Sequence, residues 1–264
     1  MNVVGFPRRV RTLWISDLHL GTRGCQANDL LAFLRTIECR TLYLVGDVVD
    51  CWRLKKSWYW PASHQAVIRE FLRRADAGVE VIFIPGNHDE AAREFDGLDM
   101  AGIKIRTEAI HVAADERRFL VVHGDGFDGV VRYARWLYRL GDWSYRVMLR
   151  CNRVFNLLRR LCGLPYWSLS AFLKHRVKNA VQFIADFENV LAQEARRRGV
   201  DGVVCGHIHH AEIRSIGDIL YCNDGDWTES CTALVEHFDG QLEILQGGAR
   251  NRLESQGTGL AQAS

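Results

Sequence analysis

Five short clusters of residues able to hold a metal ion or move a proton punctuate the chain. In order they are Asp17-Leu18-His19, Gly46-Asp47-Val48-Val49-Asp50, Gly86-Asn87-His88-Asp89, His123-Gly124-Asp125 and Gly206-His207-Ile208-His209. Half of the ten histidines fall inside them. Each cluster alone is an ordinary turn sequence, because Asp and Asn side chains bond their own neighbouring backbone. Five in succession, each behind a short apolar run, make that bland reading untenable. The donors on offer are imidazole, carboxylate and amide oxygen, with no thiolate. Such a set suits Mn, Fe, Co or Zn better than Cu(I), and it is too rich in nitrogen for an all-oxygen Mg or Ca site.

The runs in front of the clusters read as strands, and helix-length periodic segments separate them. Strands are expected at Thr12–Ser16, Thr41–Val45 and Val79–Pro85, with helices over Asp29–Ile37 and His64–Ala75. Further strands follow at Ile103–Arg106, Ala109–Val112 and Phe119–Val122, the last delivering the chain to His123. A helix running to about Arg198 precedes a strand at Gly202–Cys205. Strands at Glu212–Ile216, Ile219–Cys222, Thr232–Glu236 and Leu242–Leu245 are then expected to close a second sheet. The class is α/β, with mixed sheets packed face to face and helices outside. Loops after strand ends are where such sheets place their sites, and small glycines at 46, 86, 124 and 206 let the backbone turn tightly there.

Composition sets the outer bounds. With 264 residues, 48% hydrophobic and 25% charged, the chain has the balance of a globular protein, which excludes wholesale disorder and collagen-like repeats. No apolar run approaches the ~20 residues that span a bilayer, and Met1–Arg11 lacks a signal-peptide core, so a cytoplasmic location is expected. The eight cysteines include no C-x-x-C pair and read as reduced thiols. One domain is expected over residues 1–246, with a polar, small-residue tail over 247–264. The net charge of +2 hides a strong asymmetry: Val130–Ala180 carries +10, and everything else −8.

The order D-x-H, GD-x-x-D, GNHD, H and GH-x-H resembles the signature of the calcineurin-like metallophosphoesterase superfamily, over nearly all of Thr12–Gln246. That resemblance implies a four-layer fold, a two-sheet β-sandwich flanked by helices, around a dinuclear metal centre. It implies that Asp17, His19 and His209 hold one divalent ion, that Asn87, His123 and His207 hold the other, and that Asp47 bridges them. Two ions sharing a carboxylate can clamp a phosphate and acidify a water into a nucleophile, and the resemblance points to manganese. His88, next to Asn87, can then face the leaving group as general acid or as a hydrogen-bond donor to phosphate. In the superfamily Asp50 would orient it, although the same residue could simply cap the following helix. Asp89 reads as a cap and is left out of catalysis; Asp125 and Asp128 read either as supports of the site or as turn formers.

The basic segment lies between His123 and His207 and is expected to form a helical lid, at about residues 128–180, over or beside the site. Trp136, Leu140, Trp143, Val147, Cys151, Val154, Leu158 and Leu161 recur at helical spacing, with arginines on the other faces. A basic amphipathic unit rich in aromatics suits an anionic membrane surface, so the protein is expected to sit peripherally on the inner membrane. Trp136, Lys174, Arg176 and Lys178 are candidate substrate contacts. Together with Gly225-Asp226-Trp227, the insertion resembles that of the UDP-2,3-diacylglucosamine pyrophosphatases of lipid A biosynthesis. Their substrate is an acylated UDP-sugar, cleaved to UMP and 2,3-diacylglucosamine 1-phosphate. The best-known members have GNRD where this chain has GNHD, which leaves another lipid-linked or nucleotide-linked phosphoester as the alternative. A nuclease would use the arginines on a phosphate backbone; nucleic acid is not the expected partner. A scaffold of this fold would have lost metal histidines that this chain keeps. The sequence leaves the oligomeric state open.

Overall fold

Short runs rich in β-branched and aromatic residues form the strands. In chain order these are β1 (Arg8–Arg9), β2 (Thr12–Ile15), β3 (Ile37–Glu38), β4 (Thr41–Val45), β5 (Glu80–Ile84), β6 (Asp99–Met100) and β7 (Ile103–Ile105). They continue as β8 (Ala109–Val112), β9 (Arg118–Val121), β10 (Gly202–Cys205), β11 (Glu212–Ile216), β12 (Ile219–Asn223), β13 (Thr232–Glu236) and β14 (Leu242–Gln246). Helices α1 (Ala27–Leu34), α2 (Cys51–Leu54) and α3 (Ala62–Asp76) lie among the early strands, and a further helix covers 187–198. The computed structural model describes residues 7–127, 184 and 187–247. The expected lid with Trp136, Lys174, Arg176 and Lys178, together with Asp128, lies outside the described residues. The chain divides into two compact units, Met1–Asp125 with Leu191–Ser264, and Gly126–Val190. All five clusters lie in the first.

One sheet runs β14-β13-β2-β4-β5-β7-β6, and the other β11-β12-β10-β9-β8. In the first, β2, β4, β5 and β7 are parallel neighbours; in the second, β12, β10 and β9 are. The two-residue period of a strand sorts the side chains. Leu13, Ile15, Leu42, Leu44 and Val81 meet Leu30 and Leu34 of α1 and Val67 and Phe71 of α3. Their alternates Trp14, Tyr43, Val45, Ile82 and Ile84 meet Phe119, Val121, Val204 and Cys222 of the second sheet. Trp14 stacks on Tyr43 with ring centres 5.7 Å apart. Full burial of each such side chain is worth about 1.5–3 kcal/mol, so the inter-sheet layer is a main source of stability. On the far side, Arg196 pairs with Asp218 in the β11–β12 turn at 2.6 Å, and Arg198 pairs with Glu108 just before β8. These exposed pairs contribute little energy but tie the C-terminal turn of the helix to the β11–β12 turn and to the residue before β8. Helices therefore lie outside both sheets, as expected.

Three expectations need correction. Only β10 to β12 of the C-terminal half belong to the second sheet, and they join β8 and β9 from the N-terminal half. β13 and β14 return to the first sheet, where Leu234 pairs with Trp14 in antiparallel register. Every residue of β13 is buried, so its sequence carries no alternation that could assign it to a sheet. Helix α1 stops at Leu34 rather than at Ile37, because Ile37 is drawn into a two-stranded ladder with Arg8. Gly247, read as the start of the tail, is buried, and its N–H bonds Cys231 O at 2.7 Å; residues 248–264 lie outside the described residues. Cys25, Cys39, Cys51, Cys205, Cys222 and Cys231 are free thiols.

The topology gathers the five clusters. Asp17 follows β2, Asp47 follows β4, Asn87 follows β5, His123 follows β9 and His207 follows β10. All five strands run parallel within their sheets, so their C-terminal ends open on one edge of the sandwich, where such sheets build sites.

Candidate metal centre

Backbone strain marks the site. Eight non-glycine residues among those described have positive φ, and five of them are Asp17, His19, Asp47, His207 and His209, at 48° to 72°. A side chain in this region costs energy and persists only where the surroundings over-determine it. Here the loops are laced together: Asp17 N–H bonds Gly46 O at 3.0 Å, His19 N–H bonds Asp47 O at 2.9 Å, and Asp50 N–H bonds Leu20 O at 2.8 Å. Gly46 has φ +83°, and a Cβ there would run into the His123 ring. Gly86 has no such φ and is small for a different reason, because a Cβ would collide with the Asp47 carboxylate.

The donor atoms converge in an ordered row. Asp17 Oδ1 lies 3.0 Å from His209 Nε2 and 3.8 Å from His19 Nε2. The Asp47 carboxylate splits: Oδ2 lies 3.8 Å from His19 Nε2, while Oδ1 lies 3.5 Å from His123 Nε2. His123 Nε2 in turn is 3.3 Å from His207 Nδ1. Asp47 thus faces the Asp17–His19–His209 group with one oxygen and the His123–His207 group with the other. Asn87 is buried, and both its amide atoms lack a hydrogen-bond partner among the described residues. An orphaned buried amide costs roughly 1–3 kcal/mol unless something else binds it. The buried Asp17 Oδ1 likewise lacks a properly directed hydrogen bond. Orphaned donors around two buried carboxylates fit divalent cations.

The surroundings aim each ligand. His123 Nδ1 donates to Val45 O at 2.8 Å, which leaves Nε2 for an ion. Asp50 reaches two imidazoles, His88 Nδ1 at 3.0 Å and His19 Nδ1 at 3.4 Å, and it also accepts Arg53 N–H at 2.9 Å. It is therefore both the cap of α2 and the support of two histidines, one more than the sequence suggests. His88 Nε2 stands 3.8 Å from Asp47 Oδ2, at the partly open rim of the cluster.

Several supports of the site go beyond the sequence reading or settle a choice it left open. Asp89, read there as a cap, makes no side-chain cap of the helical turn after it; its buried carboxylate accepts N–H groups of Gly86 at 2.6 Å, Val48 at 2.7 Å and Val49 at 3.2 Å. It bolts the Asp47 loop to the Asn87 loop. Trp52 lies against His88 with ring centres 4.3 Å apart. Asp125 is a support, since Arg93 grips both its oxygens at 2.7 and 2.8 Å and also bonds Pro85 O at 3.0 Å. Asp226 closes its own turn onto Thr228, Glu229 and Ser230, and Trp227 N–H holds Asp17 O at 3.2 Å. Ser16 Oγ lies 2.7 Å from Asp17 Oδ2 and 2.6 Å from Asp224 Oδ1. Burial pushes the Asp224 carboxyl well up, and the Ser16 hydroxyl between the two carboxylates ties the Asp17 loop to the end of β12. Among these, Asp89, Asp125, Asp226 and Trp227 lie inside motifs the sequence singles out, whereas Trp52, Arg93, Ser16 and Asp224 lie in none.

Charge is finely opposed inside the cluster. Burial would raise the Asp17 and Asp47 carboxyls, but His209 beside Asp17 and His123 beside Asp47 hold both below the usual carboxylate range. Burial would lower His123 and His209, yet Asp47 pulls the first up to about 10 and Asp17 the second to about 9. A metal takes imidazole only as the neutral base. Loading near pH 7 should therefore release up to about two protons, so that affinity for Mn rises by up to about a hundredfold per pH unit. Calorimetric titration in buffers of different ionisation enthalpy would count those protons, and a pH-independent affinity would refute the prediction. The metal-free protein should behave in the opposite way. Its raised imidazole pKa values stabilise it fully below the unfolded value near 6.5 and lose that contribution as pH climbs towards 9 and 10. Its melting temperature should fall over that interval.

An edge-of-sandwich cluster of this composition defines a metal-dependent phosphoester hydrolase. Comparison with known families agrees: the calcineurin-like phosphoesterase model matches residues 10–211, and the chain belongs to that family. A Stenotrophomonas maltophilia (strain K279a) protein named UDP-2,3-diacylglucosamine hydrolase is 36% identical, over 84% of this chain and 93% of its own length. A Porphyromonas gingivalis (strain ATCC BAA-308 / W83) protein of the same name is 28% identical, over 90% of this chain and 97% of its own.

Proposed function

We propose that the chain hydrolyses the pyrophosphate bond of UDP-2,3-diacylglucosamine, giving UMP and 2,3-diacylglucosamine 1-phosphate, with two manganese ions. The observation that carries the hydrolytic reading is the split Asp47 carboxylate, one oxygen towards each half of the donor row. The substrate reading is supported by relatives of that name aligned along most of the chain. Asp17, His19 and His209 would hold one ion, Asn87, His123 and His207 the other, with Asp47 between them. Bound there, the ions would polarise the phosphoryl group and supply a water made nucleophilic at neutral pH.

The chain's own residues do the rest. His88 donates a proton to the oxygen leaving phosphorus as the P–O bond of the pyrophosphate breaks, and water supplies the oxygen that replaces it. Asp50 holds His88 through Nδ1 and leaves Nε2 facing the cluster. The basic segment at residues 130–180, outside the described residues, suits an anionic inner-membrane surface on the cytoplasmic side. Among the described residues no helix is long and apolar enough to cross a membrane. Incubation of manganese-loaded protein with UDP-2,3-diacylglucosamine, with the Asp47→Ala protein as blank, should release UMP. Silence there combined with Asp47-dependent cleavage of a simple phosphodiester would keep the chemistry and discard the substrate.

A further inference from the structure

Between α2 and α3 the chain reads Lys55-Lys56-Ser57-Trp58-Tyr59-Trp60-Pro61, a stretch that no step of the hydrolysis uses. Trp58 is 76% exposed, more than any other large hydrophobic residue among those described. One exposed aromatic alone marks nothing; the setting of this one is what distinguishes it. The ring is not a loose end. Trp58 packs on Trp60 with centres 6.2 Å apart, and Trp60 and Tyr59 each set an edge against His64 at 5.7 Å. His64 is buried, and its Nδ1 accepts Gly21 N–H at 2.9 Å. The loop is thus braced on the scaffold and presents Trp58 outward.

Cations accompany it in the chain and beside Tyr59. Arg23 lies 4.9 Å over the Tyr59 ring, and Arg53, Lys55 and Lys56 are exposed at the end of α2. None of the four pairs with a carboxylate among the described residues, and the sequence from Cys51 to Arg69 contains no acid. A solvated charged face usually mixes both signs. This one offers four cations with no carboxylate partner among the described residues, three of them within five residues of an outward indole in the chain and the fourth over the adjacent Tyr59, a combination that matches an anionic bilayer. Tryptophan and tyrosine favour the headgroup level, and lysine and arginine are drawn to acidic lipid. The Trp58 and Trp60 rings already pack on each other at a tilt of 32°, so no slot for a nucleic acid base is open between them.

We propose that Arg23, Arg53, Lys55, Lys56 and Trp58 form a docking surface for anionic lipid. Its position gives it a use that rests on a lipid-linked substrate: α2 carries Trp52 against His88 and, a few residues later, this loop. A membrane held here lies beside the proton donor.

The test measures partition of the full-length, manganese-loaded protein onto vesicles containing phosphatidylglycerol, against vesicles of phosphatidylcholine alone, with no substrate present. The double variant Lys55→Glu/Lys56→Glu should partition at least about tenfold more weakly onto the acidic vesicles. Trp58→Ser should lower the partition that survives added salt. Both should cleave a soluble aryl phosphodiester at the parent rate, which certifies the fold. The basic segment is common to all variants, so differences between them report on the loop. Unchanged partition in both variants, no vesicle binding by the parent, or weakening confined to a single-stranded oligonucleotide would each overturn the proposal. Loss of vesicle binding in a protein that releases no UMP from UDP-2,3-diacylglucosamine would retain the surface and refute the substrate.

Discussion

Asp47→Ala is expected to reduce hydrolysis to the blank and to lower manganese content from about two ions per chain to one or none. The Asp47 carboxylate faces both halves of the donor row with separate oxygens, Oδ2 at 3.8 Å from His19 and Oδ1 at 3.5 Å from His123. Without it the centre loses the carboxylate that offers one oxygen to each group, and with it the negative charge that offsets the repulsion between two divalent ions at close range. The same oxygen that faces His123 also accepts the His88 N–H at 2.8 Å, so alanine further frees the loop carrying the proton donor. Asp47→Asn separates the two effects, because an amide oxygen can still accept that N–H but brings no charge. It should lose metal and activity as alanine does while keeping the parent near-ultraviolet dichroism. An Asp47→Asn protein that retained both ions and most of its turnover would remove Asp47 from the centre.

Much of the site was legible because each ligand announces itself beside the strand that carries it. Asp17, Asp47, Asn87, His123 and His207 all sit within three residues of a strand end, and short apolar runs locate those ends. Six of the seven proposed metal ligands come together in space with His88 and Asp50, the seventh, Asn87, adjoins His88 with its buried amide unpartnered among the described residues, and the unbroken runs at Thr41–Val45 and Gly202–Cys205 are strands over those residues. The illegible part depends on contacts between distant segments. Ser16 and Asp224 are 208 residues apart, and nothing local to either marks the hydroxyl that serves two carboxylates. Asp89 has the residue type of a cap, and only the fold reveals that its partners lie on another loop. The placing of β13 was beyond pattern reading for the same reason, since a strand buried on both faces says nothing about its neighbours. Aromatic character at Trp58 was plain in the sequence, whereas its exposure was not.

His88→Ala should lower turnover by about 10² to 10⁴-fold, the range for loss of a general acid, and leave metal content at the parent level. The geometry makes the second half of that prediction the sharper one. His88 stands at the rim with Nδ1 on Asp50, and the seven proposed ligands are complete without it. Asp50→Asn should behave differently, because Asp50 supports His19 as well as His88. It should cost both metal affinity and rate, by about 10 to 100-fold, as for other groups that orient a metal-bound histidine. Leaving groups then separate proton donation from simple binding of phosphate. An alkyl phosphate oxygen needs a proton to depart, whereas a nitrophenolate does not. The His88→Ala loss should therefore be large for the first substrate and small for the second. A loss independent of leaving group would make His88 a phosphate-binding residue, with the proton arriving from solvent.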